Sequence, residues 1–117
     1  MKRQFFIIIL IGIVFIGVSF QSFLKTSLEI TVRDRLGNTV EGVEVTLYIT
    51  HDDFQNEENP VTESQNTSKK GKVLFKELES IQYYVSAVKG DDNNFGDGEM
   101  VDTLVEGRRN KVTLIIR

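Results

Sequence analysis

Cysteine and tryptophan are absent from this 117-residue chain, and histidine and proline occur once each, as His51 and Pro60. The lack of cysteine excludes disulfides, thiolate metal sites, a cysteine nucleophile and attachment of a lipid to an N-terminal cysteine. A single histidine cannot build a zinc site of the histidine type. A domain of this composition must be held together by its apolar core.

Positive charge is scarcer than negative charge. The chain has 14 Lys and Arg against 17 Asp and Glu, for a formal net charge of −3. Lys2 and Arg3 precede every acidic residue, so the remainder of the chain is more acidic still. Because nucleic-acid binding needs a clustered basic face, we expect no nucleic-acid partner.

A long apolar run lies near the N-terminus, where residues 5–18 are all apolar or glycine. Its length falls between the apolar core of a secretory signal and a membrane-spanning helix of about 20 residues. Gly17 and Ser19 fit a weak cleavage site. We therefore predict an N-terminal hydrophobic helix within residues 1–24, which is either a cleaved signal peptide or a retained membrane anchor.

Two cations ahead of this run set the direction of insertion. Positive residues stay on the cytoplasmic side of a membrane, so Lys2 and Arg3 stay inside under either alternative. Residues 25–117 are then exported, and we predict a periplasmic, cell-surface or secreted domain. Contact with a membrane is expected only through the N-terminal segment, if it is uncleaved.

Alternation of apolar and polar residues dominates the rest of the chain and predicts short β-strands. The apolar positions expected to face inward are Leu28, Ile30 and Val32; Val43, Val45, Leu47 and Ile49; Val73, Phe75 and Leu78; Tyr83, Val85 and Ala87; and Val112, Leu114 and Ile116. Turn-forming residues separate these segments at short intervals, which favours a sandwich. We predict an all-β, Greek-key β-sandwich of about seven strands over residues 25–117.

One segment, THDDFQNEENP, interrupts the alternation and has the marks of a short helix. Thr50 can cap its N-terminus, Asp52 and Asp53 suit its first turn, and Pro60 follows its end. We expect one or two helical turns here, crossing between the two sheets.

Three stretches, LEITVRDRLGNTVEGVEVTLY, TSKKGKVLFKEL and IQYYVSAVKG, resemble the carboxypeptidase regulatory-like and transthyretin-like β-sandwich families. The matching positions are Val40, Gly42, Val43, Val45, Leu47, Thr67, Gly71, Val73, Phe75, Leu78, Tyr83 and Val85. Gly71 suits the left-handed position of a tight turn, and Gly42 suits a bulge or a sharp turn into a strand. The resemblance implies a β-sandwich of a small exported bacterial protein, and such modules are mostly non-enzymatic.

Two active relatives of these families can be tested on this sequence. Pilin-type sandwich domains form a Lys–Asn isopeptide bond, but the position that corresponds to their lysine is Val32, and no glutamate lies between Tyr83 and Val88. The hydroxyisourate hydrolases of the transthyretin fold need several histidines and a Tyr-Arg-Gly-Ser end, whereas this chain ends Leu-Ile-Ile-Arg. The resemblance therefore implies neither activity, and we predict no catalytic residues.

The segment DDNNFGDGE, residues 91–99, has the composition of a calcium loop. An EF-hand loop needs side-chain oxygens at positions 1, 3 and 5 and a glutamate at position 12. Counted from Asp91, position 5 is Phe95 and position 12 is Asp102, so two ligands do not fit. We predict a long surface loop without a metal, with Phe95 folded back onto the sandwich as a hydrophobic pin. Positive φ is expected at Gly90, Gly96 and Gly98.

Several other polar groups have simple structural explanations. His51 is expected to start the helix, and the adjacent acids Glu57 and Glu58 are expected to lie in a solvated segment rather than act as acid and base. The basic stretch EGRRNK, residues 106–111, is expected to form a hairpin turn.

Two further features concern sugars. Tyr48 and Tyr84 should face outward if the alternation holds, which leaves room for a weak sugar-stacking platform. Asn66 begins an Asn-Thr-Ser triplet that fits the N-glycosylation pattern, which matters only in a eukaryotic secretory pathway.

No residue pattern in the chain specifies a cofactor or a metal, and we predict neither; no pattern identifies a particular ligand. The expected function is a non-enzymatic structural or binding role at the cell envelope, with an envelope protein or polymer as partner. Two alternatives stay open at this point: a sugar- or metal-binding module, and a hydrolase of envelope polymers, which would need a nucleophile and its base.

Overall fold

A computed structural model describes residues 25–117, so the predicted helix and the signal or anchor segment at residues 1–24 lie outside the described residues. The described chain is an all-β sandwich of two sheets. Its elements are β1 (Thr26–Arg33), β2 (Glu44–Tyr48), α1 (His51–Asn56), β3 (Gln65–Asn66), β4 (Lys72–Leu78), β5 (Tyr83–Lys89), β6 (Asp92–Asn93), β7 (Met100–Val101) and β8 (Arg109–Ile115). Three of these eight strands are only two residues long, which accounts for the difference from the predicted seven.

The first sheet has the strand order β4-β1-β8. β1 pairs antiparallel with β4 and parallel with β8, and the parallel register runs from Ser27 opposite Arg109 to Arg33 opposite Ile115. Parallel neighbours need a long connection, and the whole second sheet lies within this connection. β1, the first described strand, therefore lies at the centre of this sheet, and β8, the last one, lies beside it at the edge.

The second sheet has the order β3-β2-β5-β6, and β7 also pairs with β5. All of its pairings are antiparallel. β6 pairs with Val88 and Lys89 at one end of β5, while β7 pairs with Tyr83 and Tyr84 at the other end. The two short strands thus share one edge of β5 and leave a gap between them.

The predicted inward face is confirmed at most positions. The buried members are Leu28, Ile30, Val32, Val43, Val45, Leu47, Val73, Phe75, Leu78, Tyr83, Val85, Ala87, Leu114 and Ile116. They come from the inner faces of both sheets and form one apolar cluster, as in other sandwiches. Ile49 is an exception at 52% exposure, because β2 ends at Tyr48 and the chain turns outward into α1.

The helix begins as the sequence predicts, but it does not cross between the sheets. Thr50 Oγ1 accepts a hydrogen bond from the Asp53 N–H at 3.1 Å, which caps the first turn. α1 then leads from β2 to β3 within the same sheet and packs its buried Phe54 against the outer face. Within residues 25–117, no helix has the length and apolar character needed to cross a membrane.

After α1, the next change of sheet occurs between β3 and β4, at the turn that contains Gly71. Gly71 has φ +72°, and a Cβ at this position would lie 2.9 Å from the carbonyl oxygen of Val32. Only glycine fits both the positive φ and this close approach. The predicted left-handed glycine is therefore confirmed, and it brings β4 alongside β1.

Candidate functional site

A polar groove of about 590 Å³ runs along the outer face of the second sheet. It is lined by Gly42, Glu44, Thr46, Tyr48, Glu57, Pro60, Ser64, Asn66, Ser86, Val88, Lys89 and Gly90. The hydroxyls of Thr46 and Ser64 lie 2.7 Å apart, and the Lys89 ammonium donates to the Glu41 carbonyl at 2.7 Å. These polar side chains already bond to one another or to the backbone, so the groove offers hydroxyls and carboxylates but no reactive pair.

Tyr48 points to this outer face, as the alternation predicts, but it is not available as a sugar platform. Its side chain is only 5% exposed, because Phe54 of α1 covers it with a ring-centroid distance of 6.0 Å. Burial raises the pKa of the Tyr48 phenol, and the negative charges of Glu57 and Glu44 raise it further. The predicted outward direction of Tyr48 is therefore confirmed, but its ring is covered, since a short helix lies where open solvent was expected.

An aromatic cluster surrounds the helix. The Tyr84 ring lies 5.4 Å from the His51 ring and 6.1 Å from the Phe54 ring, and Phe95 packs edge-on against Phe54 at 5.8 Å. His51 starts α1, as predicted, and is exposed. Among residues 25–117, no three His, Asp or Glu side chains are grouped closely enough to hold a metal ion.

The loop over residues 91–99 is anchored by a residue that the sequence did not single out. Gly90, Gly96 and Gly98 take positive φ, as predicted. Phe95, however, is 46% exposed and rests on the helix rather than in the core, so its role as the hydrophobic pin is wrong. The buried residue of the loop is its neighbour Asn94, at 0% exposure.

Asn94 fills the gap between β6 and β7 on the edge of β5. Its Oδ1 accepts from the Ala87 N–H at 2.9 Å, and its Nδ2 donates to the Val85 carbonyl at 2.8 Å. Its backbone N–H also donates to the Ala87 carbonyl at 3.3 Å. The Asn94 side-chain amide therefore takes the place of a peptide group where no strand pairs with β5. It gives partners to the Ala87 N–H and the Val85 carbonyl, which would destabilise the fold if they were buried without hydrogen bonds.

The position tested for isopeptide chemistry lies in the core. Val32 is 0% exposed, pairs in register with Leu114 of β8 and belongs to the same apolar cluster as Val85. The surroundings of this position are aliphatic, so it contributes packing to the sandwich.

The remaining singled-out residues serve the fold or lie in solvent. In the Asn-Thr-Ser triplet, Thr67 is buried, and its hydroxyl accepts from the Val43 N–H at 2.9 Å and donates to the Val40 carbonyl at 2.6 Å. Glu57 and Glu58 are exposed just after α1. The EGRRNK stretch forms a turn only in its first half, because β8 already begins at Arg109. The predicted hairpin is wrong, because β7 and β8 belong to different sheets and do not pair. The sequence prediction therefore missed two cations, Arg109 and Lys111, on an edge strand.

Several solved structures share this fold, whereas no family model and no curated protein matches the sequence. A streptococcal ancillary pilin aligns with a TM-score of 0.60 at 16% identity, over 80% of this chain and 32% of the pilin. The pilus 2b backbone protein of group B streptococcus gives 0.53 at 16%, over 78% and 40%. The major pilin subunit of Bacillus cereus gives 0.50 at 15%, over 78% and 29%.

These figures define a class of fold. The chain spans between 29% and 40% of the length of these pilin chains, so the likeness covers a part of each pilin rather than a whole subunit. At this level of identity the likeness is one of architecture. The described residues thus have the β-sandwich fold found in domains of Gram-positive pilins.

Proposed function

We propose that this chain is a non-enzymatic, exported β-sandwich module with a structural or binding role at the cell surface. The observation that carries the proposal is the fold shared with a streptococcal ancillary pilin at a TM-score of 0.60. The resemblance of the three sequence stretches to carboxypeptidase regulatory-like and transthyretin-like domains supports the same kind of module. Its partner is an envelope protein or polymer.

The arrangement of β1 and β8 supports a structural role. Because these strands run parallel, β1 begins at Thr26 at one end of the first sheet, while β8 ends at Ile115 at the opposite end of the same sheet. A pull between the two ends would therefore load seven paired positions in shear, all at once, instead of opening them one by one. This is a favourable geometry for a spacer between two attachment points.

Export is supported by the apolar run at residues 5–18 and by the cations Lys2 and Arg3 ahead of it. The test is a fusion of alkaline phosphatase, which is active only outside the cytoplasm, after Arg117 in a bacterial host. The full chain should give active enzyme, and a matched chain that lacks residues 2–24 should not. Equal activity of the two fusions, or activity only of the shortened chain, would contradict the proposal.

The same experiment sharpens the account of residues 1–24. The intact mass of the exported chain will show loss of residues 1–19 if a signal peptide is removed, and full length if the segment is an anchor. Protease treatment of intact cells or spheroplasts should then degrade the domain while a cytoplasmic marker stays whole.

A further inference from the structure

β8 is an edge strand whose outward backbone groups are open. The Ser27 N–H donates to the Arg108 carbonyl, and the Ile116 N–H donates to the Arg33 carbonyl, both at 3.0 Å. With the parallel register, these two bonds show that the backbone N–H and C=O groups of the even-numbered residues of β8 point toward β1. The N–H and C=O groups of Lys111, Thr113 and Ile115 therefore point away from the sheet. Among residues 25–117, no other backbone or side-chain group bonds to them.

The other described edges are protected. β3 is only two residues long. On β4, the Gln65 side-chain amide donates to the Leu74 carbonyl at 3.0 Å, and Glu77 takes φ 56°, which breaks the regular edge. The edge of β5 is covered by β6, Asn94 and β7. Short strands, irregularities, covering segments and edge lysines are the usual means of protecting an edge. Of these, the centre of β8 has only a lysine, Lys111, whose ammonium lies 4.0 Å from the Glu29 carboxylate.

A cleft of about 380 Å³ lies beside this open edge. One wall is β8 from Asn110 to Leu114, and the other is the segment Gly98 to Leu104, which includes β7. Val101, Leu104 and Leu114 are buried at its floor, and Val112 is half-buried. The floor is therefore apolar, while the β8 wall offers backbone donors and acceptors.

Both ends of the cleft are closed by hydrogen bonds. At one end, Arg117 and Asn93 exchange backbone bonds of 3.0 and 3.1 Å. At the other end, the Asn110 side chain accepts from the Val105 N–H at 2.8 Å and donates to the Val105 carbonyl at 3.2 Å. The open length between them spans residues 111–115, about 17 Å at the usual strand rise. It matches a segment of about five residues.

We propose that β8 binds an extended segment of a partner protein as an additional strand. Main-chain hydrogen bonds to Lys111, Thr113 and Ile115 would hold the segment, as in other cases of strand addition. Alternate side chains of the segment would face the apolar floor. The partner segment is therefore apolar at every second position.

Charge defines the other face of the partner segment. The side chains of Arg109 and Lys111 are exposed on the outer face of β8. On the edge that is already paired, β1 places Glu29 opposite Lys111, with a Nζ–Oε2 distance of 4.0 Å. Opposite charges across neighbouring strands are favourable and like charges are not. We therefore assign a segment whose outward side chains are acidic.

This inference deepens the binding role proposed above and rests on it for the location of the partner. The pairing itself is a property of the fold and is measured on purified protein. The probe is a fluorescent seven-residue peptide that alternates valine and glutamate, added to the full chain in detergent micelles, with polarisation as the readout. Saturable binding is expected, and its absence while the phosphatase fusion is active would overturn this inference alone.

The decisive variant is Thr113→Pro, with Thr113→Val as the matched control. Proline removes the outward N–H of residue 113 but no bond to β1, and it is tolerated on edge strands where the N–H faces outward. Binding should weaken about tenfold, which corresponds to about 1.4 kcal/mol. Thr113→Val keeps the N–H and should bind like the unaltered chain. Unchanged binding by a folded Thr113→Pro chain would overturn the proposal.

The peptide supplies a test that does not depend on the folding of a variant. N-methylation of alternate amides along one edge of the peptide should abolish binding, whereas methylation along the other edge should leave it intact. Equal effects of the two methylation patterns would contradict pairing along a single edge.

The charge assignment is tested by exchange. Lys111→Glu should weaken binding of the glutamate peptide several-fold and strengthen binding of a peptide in which lysine replaces glutamate. No exchange of preference would overturn the acidic partner. A peptide-free chain that sediments as a dimer, and becomes monomeric with Thr113→Pro, would show instead that a second copy occupies the edge.

Discussion

The outer edges of β5 and β8 both carry backbone N–H and C=O groups that have no partner in a neighbouring long strand, and these groups are treated differently at the two edges. On β5, the Asn94 side chain supplies the donor and acceptor that the gap between β6 and β7 lacks. On β8, the facing segment from residue 98 to residue 104 leaves a cleft instead of pairing. On β5, one well-placed amide completes an edge that two short strands already cover in part. On β8, the outward groups of three residues face the cleft, so the open stretch is longer than the gap that Asn94 fills.

Both edges lie within residues 25–117, and the described residues of this range form one continuous apolar cluster. We predict that a chain that begins at Lys25 folds by itself, because this cluster joins the inner faces of both sheets. Circular dichroism should show a β-type spectrum and a cooperative thermal transition. A disordered spectrum would contradict the assignment of the domain to these residues, and it would remove the basis for comparing the two edges.

The two sides of β8 can be compared with a pair of prolines. Val112→Pro removes an N–H that faces β1 and should cost about 3 kcal/mol, since the bond is lost and the ring clashes with the neighbouring strand. Thr113→Pro removes an N–H that faces the cleft and should cost less than about 1 kcal/mol. Urea denaturation of the 25–117 chain measures both values. Similar costs for the two prolines would show that β8 is paired on both sides.

The closed edge is tested by Asn94→Ala, with Asn93→Ala as the matched control. The Asn94 substitution leaves the Ala87 N–H and the Val85 carbonyl buried without partners, and it should cost about 2–4 kcal/mol in the free energy of unfolding. Asn93 is only partly buried and bonds only within its own loop through its side chain. Its truncation should cost less than about 1 kcal/mol. Equal costs would mean that the loop, and not the Asn94 amide, holds the edge.

A smaller effect is expected from Tyr83, which begins β5 beside the closed edge. Burial raises the pKa of its phenol, and the Glu79 charge also raises it. The hydroxyl donates a hydrogen bond to the Glu79 carbonyl at 2.9 Å, which only the protonated phenol can make. Because the folded-state pKa is the higher one, the stabilisation is complete below the unfolded pKa of about 10 and is lost as pH rises through the folded value.

The check is the pH dependence of urea unfolding between neutral and strongly alkaline pH. Tyr83→Phe should cost about 1 kcal/mol at neutral pH through the lost hydrogen bond, and the alkaline loss of stability should become shallower. It should not vanish, because Tyr48 has a pKa raised in the same direction. An unchanged alkaline slope would show that Tyr83 ionises as readily in the folded chain as in the unfolded one.

The sequence predicts the sandwich well because alternation and burial are linked directly. The inward positions from Leu28 to Ile116, the cap at Thr50 and the tight turn at Gly71 each follow from one residue and its immediate neighbours. The exception at Ile49 has the same origin, because the helix cap ended the strand one residue earlier than alternation alone implied.

What the sequence did not show depends on contacts between distant segments. Asn94 and Asn93 are adjacent and chemically identical, and only the position of β5 decides which amide is buried. Tyr48 is covered because α1 folds back over its own sheet. The opening beside β8 depends on the path of residues 98–104, which has no signature in alternation.

Residue-resolved amide exchange of the 25–117 chain tests the comparison most directly, because exchange reports whether each N–H is bonded. On β8, we expect slow exchange of the Val112 and Leu114 amides and fast exchange of the Lys111, Thr113 and Ile115 amides. On β5, the Ala87 amide should be slow, because the Asn94 side chain holds it. Uniformly slow exchange along β8, or fast exchange at Ala87, would contradict the distinction between one open edge and one closed edge.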